Sequence, residues 1–129
     1  MAKWTKRQQA AHRRKWIKAL RSGEYKQGVG RLKRMNGSFC CLGVACEISG
    51  LGKWDYDMFA DSLDRSSVKL TPEVRDWLGL NSYNGEYIDS RGRQHVLTEK
   101  NDGANGKRPL SFKQIANIIE REPKGLIQQ

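Results

Sequence analysis

The sequence predicts an α+β fold, with an N-terminal basic helix, two short β-hairpins, short central helices and a C-terminal helix around one core. Three observations predict it. Helix start and stop signals frame segments near both ends, turn-forming clusters separate short extended runs between them, and no internal repeat or long low-complexity tract interrupts the 129 residues. A chain of this length fits one domain, residues 1–129, and such a domain buries roughly two-thirds of its unfolded surface without disulfides or metals.

Thr5 to about Ser22 consists of good helix formers with no interior Gly or Pro, and it ends at Ser22-Gly23. At 100° per residue, Trp16, Ile17 and Leu20 share one face with Ala10, while Arg13, Gln9 and Lys6 continue that face towards the N-terminus. Only the last two turns are therefore expected to dock. Residues 1–23 read as a basic helix partly overhanging an α+β body formed by residues 24–129.

Asn36-Gly37 is a favoured two-residue turn, because both positions must tolerate φ > 0, and it predicts a hairpin pairing Gly30–Met35 with Ser38–Cys40. Leu42, Val44, Ala45 and Ile48 then follow a helical pattern from Cys41 to the stop at Gly50. Leu51 to Val68 mixes Trp54, Tyr56 and Phe59 with acids and has no clean period, so it is expected to be an irregular loop with some core contacts.

Thr71-Pro72-Glu73 has the chemistry of a helix start: a capping hydroxyl, Pro at the first position and an acid at the positive end of the dipole. Val74, Trp77 and Leu78 give that short helix its apolar side before Gly79. The cluster Ser90-Arg91-Gly92-Arg93 predicts a second hairpin between Gly85–Asp89 and Gln94–Leu97. Ser111-Phe112-Lys113-Gln114 has capping-box spacing and opens a helix with Phe112, Ile115, Ala116 and Ile119 inward, stopped by Pro123.

Charge is distributed unevenly. Residues 1–37 carry twelve Lys and Arg against Glu24 alone, and residues 38–129 carry twelve against thirteen acids, so the net +10 divides into +11 and −1. A basic arm on a near-neutral body points to a polyanionic partner. No run of about 18 apolar residues and no signal-type apolar stretch occurs, so neither a membrane nor export is expected. Three cysteines, Cys40, Cys41 and Cys46, cannot all pair with one another, which suits reduced thiols in a cytoplasm. Asn36-Gly37-Ser38 then reads as a turn rather than a glycosylation site.

Lys3, Arg7, Arg14, Lys18 and Arg21 fall within a strip roughly 60° wide beside the apolar face of the first helix. Arg7, Arg14 and Arg21 are one heptad apart, about 10.5 Å by helical rise, a spacing suited to successive phosphates. Arg31, Lys33 and Arg34 on the expected hairpin extend the patch, and Tyr25 is placed to stack on a base. No helix-turn-helix, zinc finger or aromatic-studded sheet signature supports reading of base sequence. A nucleotide or cyclic oligonucleotide would instead need a concave site, and Arg31, Arg34, Arg91 and Arg93 with Tyr25 or Tyr83 provide the residue types for one across a dimer seam.

Other constellations favour structural roles. The cysteines lack the paired spacing of a zinc site, and among Phe39, Leu42, Val44 and Ala45 they read as small core residues rather than as metal ligands or a thiolate paired with His95. Asp55, Asp57, Asp61 and Asp64 have the composition of a Mg²⁺ site but more commonly form a solvated loop, and they are also available to pair with the basic arm. Asn101-Asp102-Gly103 reads as a capped turn rather than a catalytic motif. Gly28-x-Gly30 lacks the strand-to-helix context and the Lys of a phosphate loop. His12, flanked by Arg13 and without a neighbouring acid, is a poor base. No cofactor, metal or catalytic residue is expected.

Trp16-x3-Leu20, Ser22-Gly-Glu-Tyr25-x-Gln27, Phe39-Cys-Cys-Leu-Gly-Val-Ala-Cys46, Val74-x2-Trp77-Leu-Gly-Leu80, Leu97 to Asn101-Asp102-Gly103 and Ser111 to Glu120 together resemble a family of small bacteriophage and prophage proteins. The likeness runs over most of the chain, leaving out Met1–Thr5 and Ala104–Arg108. It implies a phage accessory protein acting in the host bacterial cytoplasm, in host takeover or counter-defence, and it carries over no catalytic residue. The combined expectation is a non-catalytic binder of nucleic acid or nucleotide. The alternatives are a sponge for a cyclic oligonucleotide signal, and an inhibitor whose arm docks on an acidic host protein with Trp54, Tyr56 and Phe59 as anchor.

Overall fold

A computed structural model describes residues 3–104 and 106–129, so the first two residues of the expected basic arm lie outside the described residues. Among the described residues, five helices and two small antiparallel sheets make a mixed α+β domain, with one helix near each end of the chain. Helix α1 (Lys6–Ser22) begins at a capping box, in which the Thr5 hydroxyl accepts from the Gln8 N–H and Gln8 Oε1 accepts from the Thr5 N–H. Gly23, at φ 80°, ends it.

Docking of α1 extends further along the helix than its apolar residues do. Gln9, Arg13, Trp16 and Leu20 are all buried, so the expectation that the first turns overhang in water is corrected. The Trp16 indole N–H donates to the Cys41 carbonyl at 2.8 Å and fixes α1 to the start of α2 (Cys41–Ser49). Nearer the N-terminus, polar side chains replace apolar packing. Gln9 Nε2, His12 Nδ1 and Arg13 NH1 reach the carbonyls of Asp76, Trp77 and Leu78 at 2.7, 2.6 and 2.7 Å. Those are the last carbonyls of α3 (Pro72–Leu78), where helix geometry leaves acceptors over, and of the three Asp76 also accepts from the capping Gly79 N–H at 3.1 Å.

The expected hairpin around Asn36-Gly37 is only partly formed. Phe39 makes an antiparallel bridge to Lys33 and a parallel one to Gln27, with no ladder beyond them. Close approach of α2 limits what this segment can do: a Cβ on Gly43 would stand 1.7 Å from the Leu32 carbonyl oxygen. Regular strands occur instead in the segment read as irregular. β1 (Lys53–Asp55), β2 (Met58–Ala60) and β3 (Arg65–Ser66) form an antiparallel meander in which Trp54 faces Phe59.

Asp61, beyond the end of β2, supplies the N-terminal cap expected from Thr71: its Oδ2 accepts from the Glu73 N–H at 3.0 Å, while Thr71 makes no side-chain capping bond to α3. The second hairpin is present as β4 (Glu86–Ile88) and β5 (Gln94–Val96), with Tyr87 opposite His95. Helix α4 (Leu97–Asp102) follows directly, and α5 (Phe112–Glu120) opens with the expected Ser111/Gln114 capping box. One apolar cluster draws on all five helices, with α1 packed along α5 and against α2 and α3. Among the described residues no helix is long and apolar enough to cross a membrane.

Gly43→Ala should lower the unfolding free energy by about 3 kcal/mol in urea titration, because the new methyl must displace backbone rather than a side-chain tip. An unchanged midpoint would mean that the Leu32 segment yields freely.

Candidate functional site

The α1 strip is present as a surface, but not all of its cations remain available. Lys3, Arg7, Arg14 and Lys18 are exposed, and among the described residues none of them makes an ion pair. Arg14, Lys18 and Arg21 line one open cavity of about 510 Å³ with Ile17, Ser22 and Glu120, where α1 lies beside α5. Arg21 is already engaged there. Its fork holds both carboxylate oxygens of Glu120 at 3.0 and 2.9 Å and the Asn117 side-chain oxygen at 2.8 Å. That hydrogen bonding, followed by the charge of Arg21, holds the Glu120 carboxyl below its ordinary pKa. The acid that α1 lacks is supplied by another helix.

The hairpin cations do not continue the strip. Arg31 and Arg34 line a separate cavity of about 390 Å³ with Met35, Asn36 and Asp57, sharing no residue with the first. Arg31 Nε lies 3.6 Å from Asp57, and Arg34 NH1 donates to the Val29 carbonyl at 2.8 Å. The Lys33 ammonium sits over the rings of Phe39 and Trp54, at 5.5 and 5.4 Å. Tyr25 is half-buried and meets Phe39 edge-on at 5.7 Å, so its ring is partly used by the core.

The predicted nucleotide set is dispersed within this chain. Tyr83 is covered by Arg75, 4.8 Å from its centroid, and by Lys69 at 5.5 Å. Arg91 and Arg93 lie in the β4–β5 turn, where their backbone N–H groups donate to Asp89 at 2.8 and 2.9 Å. The aromatic anchor is largely taken up by packing within the fold. Phe59 is buried, Trp54 packs on it at 5.0 Å and donates to Glu47, and only Tyr56 is exposed.

All three thiols are buried, and burial pushes Cys40 up to about 11 and Cys41 and Cys46 well above their ordinary value, as core residues require. Among the described residues no group of His, Cys, Asp and Glu is arranged to hold a metal. The acidic loop serves structure, with Asp57 on Arg31 and Asp61 at α3. His12 is stacked on Trp77 at 4.2 Å with Trp4 edge-on at 5.0 Å, which makes it a packing residue.

Sequence reasoning missed one cluster. His95 Nε2 lies 2.7 Å from Asp89 Oδ2, and its ring stacks on Tyr87 at 5.1 Å. The hydrogen bond with His95, then those from the Arg93 and Arg91 N–H groups, lower Asp89 from 3.8 to about 2. Both residues line a cavity of about 790 Å³ between the β4–β5 hairpin and α5. The Asp89-x5-His95 spacing across a predicted turn was the available signal, since strand pairing places the two ends of a hairpin together.

Residues 8–123 match the family described as Domain of unknown function (DUF8296). The chain belongs to that family. No curated protein and no solved structure matches it. The DUF8296 span takes in Arg14, Lys18, Arg21 and the Asp89–His95 pair, while Arg7 lies just before it.

Acid sensitivity follows from the Asp89 pair. A carboxyl whose pKa is lower in the folded chain contributes stability that is present above its unfolded value and lost as pH falls through the folded one. Urea midpoints followed by Trp fluorescence should therefore drop between pH 3.8 and about 2, with a smaller drop for Asp89→Asn. An identical drop in both proteins would show that Asp89 plays no part.

Proposed function

We propose that this DUF8296 protein binds the phosphate backbone of a nucleic acid without catalysing a reaction, as a phage-type accessory protein in the bacterial cytoplasm. The observation that carries the reading is the exposed row Arg7, Arg14 and Lys18, on a helix with no acidic residue and with no ion pair to these three among the described residues. A charge on a docked helix keeps its spacing. Arg7 and Arg14 stand about 10.5 Å apart along the axis, which suits contacts across a groove rather than to a single phosphate.

Arg21 modifies this surface without extending it. Its charge is offset by Glu120, so the end of α1 nearest α5 is close to neutral and the attractive part of the strip runs from Lys18 towards the N-terminus. Contacts of this kind position a polymer but carry no sequence information. The affinity should therefore depend on salt and hardly on base sequence. The phage assignment is supported by the resemblance of the Phe39–Cys46 and Ser111–Glu120 motifs.

The triple variant Arg7→Ser/Arg14→Ser/Lys18→Ser should bind duplex DNA roughly tenfold or more weakly at low salt. It should also flatten the plot of log affinity against log salt by about 2.7, near 0.9 for each phosphate contact removed. Fluorescence anisotropy over a salt series reads both quantities. Equal affinity and slope in the variant would move the interface off α1, and wild-type affinity that stays flat as salt rises would defeat the electrostatic reading.

A further inference from the structure

The near-neutral body is not neutral everywhere. Of the twelve Lys and Arg in residues 38–129, six line two adjoining cavities, against only two acids there, Asp89 and Glu99. Lys100, Arg121 and Lys124 line the larger one, about 790 Å³, and Arg93, Lys107 and Arg108 join Lys100 around a second of about 270 Å³. His95, Lys100 and Leu110 belong to both cavities. None of the six cations makes an ion pair among the described residues, while Asp89 is taken by His95.

Five of the six are exposed and Lys100 is partly buried, so these like charges repel one another at an open recess, and an anion seated there would relieve that repulsion. The larger cavity also has apolar lining from Leu110, Ile118 and Pro123, with the stacked Tyr87 and His95 beside them. Its volume falls in the range of small-molecule sites, which combine apolar walls with a few convergent polar groups. With Nε2 of His95 held by Asp89, Nδ1 is the ring nitrogen left to meet a ligand, and the pairing fixes which way the imidazole points.

We propose that the two cavities form one site for a nucleotide-sized phosphate ester, with its planar ring among Tyr87, Leu110 and Ile118 and its phosphates towards Lys100, Arg93, Lys107 and Arg108. Arg121, lining the larger cavity, is available to lie against the ring face. The site is independent of the α1 surface and draws no residue from it.

Isothermal titration of the full chain with ATP, adenosine and inorganic tripolyphosphate at about 0.15 M salt tests the assignment. ATP should saturate one site, with adenosine and tripolyphosphate each at least roughly tenfold weaker, because each fills only one half. Lys100→Ala/Arg108→Ala should weaken ATP at least roughly tenfold, and Arg14→Ser/Lys18→Ser should leave it unchanged. Amide shift mapping of the wild-type chain provides a readout independent of any variant's folding, with changes expected at residues 86–100 and 118–124. The proposal is overturned by absence of ATP binding at millimolar concentration, by tripolyphosphate binding as well as ATP, or by shifts confined to residues 6–22. Loss of ATP binding in the α1 variant with retention in the cavity variant would overturn it equally.

Discussion

A single buried amide, that of Asn101, joins the parts of this fold that are far apart in sequence. Its oxygen accepts from Gln27 Nε2 at 3.1 Å and from the Cys41 N–H at 3.0 Å, and its nitrogen donates to the Gly28 carbonyl at 2.8 Å and to Asp102 at 2.9 Å. An Asn side chain has two donors and two strong acceptor positions, and here all four are used. Full satisfaction makes the burial tolerable, since each unmet polar group in such a place costs about 1–3 kcal/mol. The bonds set the 27–30 segment against the start of α2, which in turn receives the Trp16 indole of α1. Lys100, the neighbouring residue, is thereby held at the seam of the two cavities.

The same logic explains how α1 docks with so few apolar residues. Its face changes from Trp16 and Leu20 at one end to Gln9 and Arg13 at the other, and these polar groups meet the carbonyls at the C-terminus of α3. A guanidinium there also meets the negative end of a short helix dipole, and Glu122 lies 3.8 Å from it. Polar docking leaves the adjacent strip of Arg7, Arg14 and Lys18 unneeded for the fold. One helix therefore carries a structural and a solvent-facing set of cations, separated by rotation about its axis.

Which features were legible in the sequence follows from the range of the interaction involved. Capping at Ser111/Gln114, the glycine stops at Gly23, Gly50 and Gly79, and the hairpin turn at Ser90–Arg93 are decided within a few residues, and each lies where the sequence puts it. The β1–β3 meander was hidden because strands of two or three residues give no alternation to read, and one of its turns depends on Tyr56 at φ 56°. Distinguishing Arg13 from Arg14 needed the position of α3, about 65 residues further on. The strip of exposed cations was visible as a helical pattern, whereas the removal of Arg21, Arg31 and Lys33 from it depends on Glu120, Asp57 and the Phe39–Trp54 rings. The second cationic cluster was invisible for the same reason: its members are spread from Arg93 to Lys124 and are interspersed with Glu99, Asp102, Glu120 and Glu122, of which Glu99 alone lines either cavity.

Charge of one sign on two separate surfaces has an energetic consequence for the whole chain. A net charge of +10 on 129 residues opposes compaction by self-repulsion. The core, with Trp16, Phe59 and Leu126 almost fully buried, must offset that repulsion in the free protein. Ligands that bind only the folded state add stability in proportion to the logarithm of their concentration over Kd, and polyanions would do so at both surfaces by neutralising charge. Since the α1 strip and the hairpin cavities share no residue, their direct coupling is limited to the long-range field, which salt screens within about 10 Å at 0.1 M. If both proposed sites take anions, each ligand would stabilise the same core, and because Glu120 lines one surface and Arg121 the other, salt would weaken the coupling between them without abolishing it.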